Sequence, residues 1–200
     1  KDLVSWDNRQ YCNIWYVENI EEEIFPMYNC GKWTRMKEGG YATFFGGGDY
    51  LDGIVVTGFG SLLAHEMGHY LGLLHTFTIG SCANNNCATD GDGVCDTPPS
   101  SVFGGSLTTP QNSCSSDTLS GFAIDVPDLN ANFMSYSAGT NMFTEGQATK
   151  MRNVLSTTRN SLLADNKCDP PCGENILAGF TRDNWMPVTG STINFTSTST

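Results

Sequence analysis

The chain has 200 residues, 39% of them apolar, a net charge of -11 and a sequence pI near 4.4. That suffices for one domain of ordinary size, or for one domain and a piece of another. No run approaches the ~18 uninterrupted apolar residues that span a bilayer, and the acidic balance excludes the basic face that a nucleic-acid surface needs, while suiting a cation-binding protein.

Residues 11–17 (YCNIWYV) are rich in aromatic and β-branched types and predict a buried strand. Glu21-Glu22-Glu23 reads as a solvated face. Residues 41–45 (YATFF) predict a second strand, and the glycines at 39–40 and 46–48 favour an edge position. Residues 53–57 (GIVVT) predict a third. From residue 61 the period changes: Leu62, Leu63, Met67, Tyr70 and Leu71 recur at helical spacing. Ser61 is placed to N-cap this helix and Gly72 to end it. Residues 76–132 are a long irregular stretch that needs clamps, from its four cysteines and from a metal ion. Thr144 and Gln147 form a capping box ahead of a helix expected to reach Leu163. Residues 165–175 are a linker by composition. Residues 176–200 alternate weakly, with Phe180, Ile193 and Phe195 as inward positions. They are too few for a sandwich of ~100 residues and read as the opening of a second β domain.

Eight cysteines at irregular spacings, with no CxxC pair, read as disulfides of an oxidising compartment, hence a secreted or cell-surface protein. Their number leaves about a hundred pairings open. Residues 1–6 (KDLVSW) do not form a charged start followed by an apolar leader, and there is no initiating Met. The chain is therefore expected to be a mature or cut product of a larger multidomain precursor.

The chemistry is concentrated in HEMGH, residues 65–69. Residues i and i+4 share one helix face, so His65 and His69 can bind one zinc ion with Glu66 beside them. A helical histidine pair can also be a plain polar face, but this pair lies inside an apolar helix. The third histidine of the chain, His75, completes His65-x3-His69-x2-Gly72-x2-His75. Gly72 can take positive φ and turn the chain back, which brings His75 to the same ion. Three protein ligands leave a fourth position for water, the mark of a catalytic zinc site. No glutamate occurs between Glu66 and Glu145 to serve as a later ligand; aspartates at 90, 92 and 96 could serve in principle, but His75 is already in place.

This extended motif resembles the metzincins, and residues 132–136 (NFMSY) resemble their Met-turn. The order of blocks (His75-Thr76-Phe77, residues 91–99 GDGVCDTPP, the Met-turn, then residues 142–148 MFTEGQA) resembles the pappalysin and cytophagalysin family over roughly residues 10–163. The resemblance implies an α+β fold, a metzincin-type zincin. Its parts are a mixed twisted sheet, an active-site helix, and an irregular C-terminal subdomain with Met-turn and C-terminal helix. The expected organisation is a catalytic domain over 1–164, a linker over 165–175, and the start of a PKD- or Ig-like β-sandwich domain over 176–200. The family's usual N-terminal strand, helix and strand are missing ahead of residue 11.

What the resemblance implies for function is a secreted zinc endopeptidase acting on protein or peptide substrates. Glu66 is its general base, Tyr136 an oxyanion donor, and Met134 an apolar floor beneath the zinc. The substrate would lie along the edge strand at Tyr41, Ala42, Thr43 and Phe44. Asp92 and Thr97 match positions that bind calcium in the family. The disulfide pairing taken with the resemblance is Cys82 with Cys114 and Cys87 with Cys95; Cys12 with Cys30 and Cys168 with Cys172 remain, each within its own segment. Family members that cut before Arg or Lys carry an acid about six residues after the Met-turn methionine. Here that position is Thr140, so the pocket is expected to be apolar or permissive, with Ala138 and Met142 as lining. The rival reading is a non-catalytic binding module of a surface assembly that keeps the fold for its shape.

Overall fold

A computed structural model describes residues 5–22, 36–43, 52–119, 122–163, 180–182 and 195–197. The chain divides into two units, Lys1–Ala164 and Asp165–Thr200. The larger is built on strand β5 (Gly53–Val56), which pairs in parallel with β1 (Asn13–Tyr16) and antiparallel with β4 (Gly40–Ala42). All four residues of β5 are buried, which is why the sequence there is a continuous apolar run. A separate ribbon pairs β2 (Ile20–Glu22) with β3 (Met36–Glu38).

The outer strands depart from expectation. In β1 only Asn13 is buried; Ile14 and Tyr16 are exposed, and the Tyr16 ring stacks on Phe59 at 5.1 Å. The apolar character of residues 11–17 therefore reflects a half-covered strand rather than a buried one. Strand β4 begins one residue earlier than expected and ends at Ala42, and Thr43 adds one more backbone bond to Gly53. Phe44 and Phe45 lie outside the described residues.

Helix α1 (Ser61–Tyr70) packs over the sheet, with Tyr70 joining Ile54 and Val56 in the core. Its N-cap is Gly60, at φ 74°, without a side-chain cap. Ser61 is thus the first helical residue, because the chain leaves β5 through a left-handed turn that suits glycine. The other end closes as expected. Gly72 sits at φ 86°, its N–H donates to the His69 carbonyl, and the Leu73 N–H donates to the Gly68 carbonyl. This is a Schellman closure.

Two disulfides, Cys82–Cys114 and Cys87–Cys95, clamp the irregular stretch. The expected partner of Cys12, Cys30, lies outside the described residues, and Cys12 carries a free thiol. It packs against the core beside Tyr70, and burial raises its pKa. Cys30, Cys168 and Cys172 lie outside the described residues.

Helix α2 (Glu145–Ser156) starts at the expected capping box. It stops at Ser156 rather than Leu163, and a short 3-10 turn follows at Asn160–Leu163. The Ser156 and Thr157 hydroxyls both donate to the Asn153 carbonyl, a local competition that favours a helix end. The break lets Arg159 turn into the core. In the second unit β6 (Phe180–Arg182) pairs antiparallel with β7 (Phe195–Ser197). Among the described residues no helix is long and apolar enough to cross a membrane.

Candidate metal centre and cleft

The helical spacing puts His65 and His69 on one buried face of α1, and the Gly72 turn returns His75 to them. The three Nε2 atoms converge, 3.1 Å apart for His65–His69, 3.0 Å for His69–His75 and 3.2 Å for His65–His75. His65 Nδ1 lies 2.6 Å from the Phe133 carbonyl and His69 Nδ1 2.8 Å from the Leu73 carbonyl. A carbonyl only accepts, so both Nδ1 atoms carry the proton and both Nε2 lone pairs face inward. Neutral lone pairs that meet at this distance repel unless a cation lies among them. Around a tetrahedral ion with nitrogen ligands at ~2.0–2.1 Å, neighbouring nitrogens lie ~3.3 Å apart. The donor set thus fits zinc. Burial lowers the pKa of all three rings, to about 4 for His69 and His75, which keeps them in the metal-binding form at neutral pH. Among the described residues this is the cluster of His, Cys, Asp and Glu side chains with metal-site geometry.

Glu66 is buried beside the histidines, against β4. A Cβ at Gly40 would stand 2.9 Å from Glu66 Cγ and 2.9 Å from the Val55 carbonyl, so only glycine leaves room for this carboxylate. Met134 is wholly buried beneath α1, and a Cβ at Gly68 would land on its sulfur. The Gly of the histidine motif is therefore the contact point between helix and Met-turn. The Tyr136 ring stands 4.7 Å from His75 and 5.5 Å from His65, with 57% of the residue exposed.

These groups open onto a cleft of ≈ 490 Å³ lined by Gly39, Gly40, Leu62, His65, Glu66, Tyr136 and Thr140, among others. Among the described residues its only lining carboxylate is Glu66. Thr140 lines the cleft; Ala138 and Met142, expected there, do not. Instead the Met142 carbonyl accepts the Phe133 N–H at 2.8 Å, which turns this residue toward the Met-turn backbone. In the edge strand Tyr41 is 42% exposed, whereas the Thr43 hydroxyl is engaged inward by Asp52 and Gly53.

A family model for peptidase M43, described as pregnancy-associated plasma protein-A, matches residues 2–156. This chain belongs to the M43 peptidase family. An extracellular metalloprotease of Aspergillus oryzae is 36% identical over 102 residues, covering 50% of this chain and 29% of that protein. One from Coccidioides posadasii is 35% identical over 99 residues, covering 48% and 30%. This M43 chain thus matches less than a third of the length of these curated relatives. The fold is that of Tannerella forsythia mature mirolysin, solved in complex with a cleaved peptide: TM-score 0.53, 24% identity, covering 79% of this chain and 58% of that one. The α+β zincin architecture of the metzincins is therefore the architecture of this M43 domain.

Around the M43 centre the structure assembles supports that periodicity and motifs do not reveal. Buried Asn132 and Gln147 exchange two amide hydrogen bonds, at 2.7 and 3.1 Å. The same Asn132 oxygen accepts the Met134 N–H, and the same Gln147 oxygen accepts the Thr144 N–H. The capping box that starts α2 therefore also holds the Met-turn. Asp96 adds a second cap, accepting the Thr144 hydroxyl and the Gly146 N–H, both at 2.7 Å.

In the same loop the Thr97 hydroxyl lies 2.9 Å from both oxygens of buried Asp92 and 2.7 Å from the Val94 carbonyl. Burial raises the Asp92 pKa to about 6. One hydroxyl proton cannot serve three acceptors, so the cluster has a surplus of oxygen lone pairs.

Proposed function

We propose that this chain is the catalytic domain of a secreted zinc endopeptidase. The observation that carries it is the convergence of three buried Nε2 atoms with a buried carboxylate beside them in an open cleft. Relatives named extracellular metalloproteases and two disulfides support secretion.

His65, His69 and His75 would hold the zinc, which when bound supplies Lewis acidity toward a carbonyl and a water at neutral pH. Glu66 takes the proton of the attacking water and later delivers it to the leaving amine nitrogen. The Tyr136 hydroxyl donates to the oxygen on which negative charge develops. Met134, packed on Gly68, keeps the floor of the site apolar. The peptide lies extended along the outer edge of β4, where backbone bonds give affinity without sequence preference. Metal analysis and a digest of unfolded casein test this reading. One zinc per chain and cleavage abolished by a chelator are expected; a zinc-loaded chain that cleaves nothing would refute it.

Specificity follows from the lining. With Thr140 in place of an acid, a cationic side chain in the cleft meets no counter-charge among the described residues beyond Glu66, and burying an unpaired cation is costly. Cleavage sites mapped on a denatured proteome are expected to show small or apolar residues after the cut bond. A strong preference for Arg or Lys there would overturn this.

We further propose that Asp92, Thr97 and the Val94 carbonyl bind calcium, a hard cation suited to clustered oxygens. Because Asp96 and the Lys150 bond to the Asp92 carbonyl tie this loop to α2, calcium removal should lower thermal stability at saturating zinc. An unchanged melting temperature under a calcium-selective chelator would count against the site.

A further inference from the structure

The Tyr136 ring has a second neighbourhood, away from the cleft. His75 stacks face to face on Phe77, with centroids 4.8 Å apart and planes 6° from parallel. Phe77 meets Tyr136 edge-on at 5.0 Å and Phe103 at 6.3 Å. None of His75, Phe77 and Phe103 lines the cleft that holds Thr140. The rings form a strip that starts at the histidine centre, runs beside Tyr136 through Phe77 and ends at Phe103.

Phe103 is 60% exposed, yet its loop is firmly built. Ahead of it, Ser100 bridges Phe77, the Thr78 N–H donates to the Ser100 carbonyl, and the Ser113 hydroxyl accepts the Ser101 N–H. Behind it, Gly104 at φ 68° lies so close to the chain that a Cβ there would stand 2.9 Å from the Tyr136 carbonyl. The next N–H, of Gly105, donates to the Ser137 hydroxyl at 3.0 Å. The loop that presents Phe103 is thus hydrogen-bonded to the segment that carries Tyr136. Residues 101–109 (SVFGGSLTT) hold no charge in a chain of net -11. These bonds fix the backbone on both sides of Phe103, and its exposed ring stands beside Phe77. That is a preorganised contact, with the loop's ordering cost met before a ligand arrives.

We propose that the Phe77–Phe103 strip is a subsite for a large apolar side chain of the substrate, on the amino side of the cut bond. The inference rests on the peptidase reading of the centre. A peptide extended across the three histidines, with one side chain in the Thr140 cleft, continues past Tyr136 onto this strip. The ring faces offer contact to aromatic and branched aliphatic groups, and nothing in the loop pairs a charge.

The test uses the full chain, zinc-loaded, carrying Glu66→Gln so that binding is read without turnover. Fluorescein-labelled peptides differ only in where a single Phe, or an Ala in its place, stands relative to the bond cut by the unmodified chain, or to the labelled centre if none is cut. A Phe within three residues on the amino side is expected to bind about tenfold tighter than Ala, the order of discrimination an apolar pocket achieves. Adding Phe103→Ala should bring that ratio to near one, while Phe103→Leu should keep most of it. Equal binding of the Phe and Ala peptides, a ratio that survives Phe103→Ala, or a preference confined to the carboxyl side would overturn the subsite. Failure of the peptidase reading shows separately, as absence of cleavage by the chain with Glu66 intact.

Discussion

Glu66→Gln is expected to lower peptide hydrolysis by about 10²–10⁴-fold, the range that a lost general base commands. Glutamine keeps the length and planarity of the side chain, so it occupies the same slot against Gly40. It cannot accept a proton from water at neutral pH. The three imidazoles are untouched, and the inward Nε2 atoms of His65 and His69 are set by the Phe133 and Leu73 carbonyls rather than by Glu66. Zinc content should therefore stay at the level of the parent chain, and so should the melting temperature within a few degrees. Single-turnover cleavage of one peptide, measured beside metal content, separates the outcomes. Retained zinc with lost cleavage supports the base. Cleavage at the parent rate would place the proton transfer on another group, and lost zinc would mean that the carboxylate shapes the metal site instead.

The parts of this site that could be read from the sequence are those built from short-range geometry. His65 and His69 are one helical turn apart, and Gly72 closes the helix by a motif that favours glycine, so the convergence of three histidines follows from eleven consecutive residues. The Thr144–Gln147 capping box is equally local. Local signals failed where a neighbour distant in sequence decides. Ser61 looks like a cap, but the turn out of β5 puts Gly60 in that place. The α2 pattern runs on to Leu163, but the helix breaks after Ser156 and Arg159 enters the core. The Asn132–Gln147 amide pair and the Asp96 cap join residues 15 to 50 positions apart; each partner lies in a motif block, but nothing local says that the blocks meet.

Replacing Arg159 by alanine is expected to be among the most damaging single changes to stability. Its guanidinium forms a two-pronged bond with Asp52, at 2.6 and 2.9 Å, across 107 residues of chain. It also donates to the Tyr70 carbonyl at the end of α1 and to the Thr43 carbonyl just beyond β4, and lies 3.4 Å over the Tyr70 ring. One side chain thus joins the end of the active-site helix, the edge strand and the entry to β5. The two charged side chains are only 6% and 10% exposed, so solvent cannot compensate for a missing partner. Arg159→Ala leaves the Asp52 carboxylate buried and two carbonyls without donors, a loss of about 3–5 kcal/mol. In a domain of this size each kcal/mol moves the melting temperature by roughly 2–4 °C, so a fall of about 10 °C is expected. Removing both charges together is a different case. Arg159→Met with Asp52→Leu takes away the stranded carboxylate as well, and buried ion pairs replaced by apolar groups are often close to neutral. The double variant should therefore be more stable than Arg159→Ala alone. Urea denaturation of the three proteins checks the order. An Arg159→Ala chain within about 1 kcal/mol of the parent would mean that water reaches this pair.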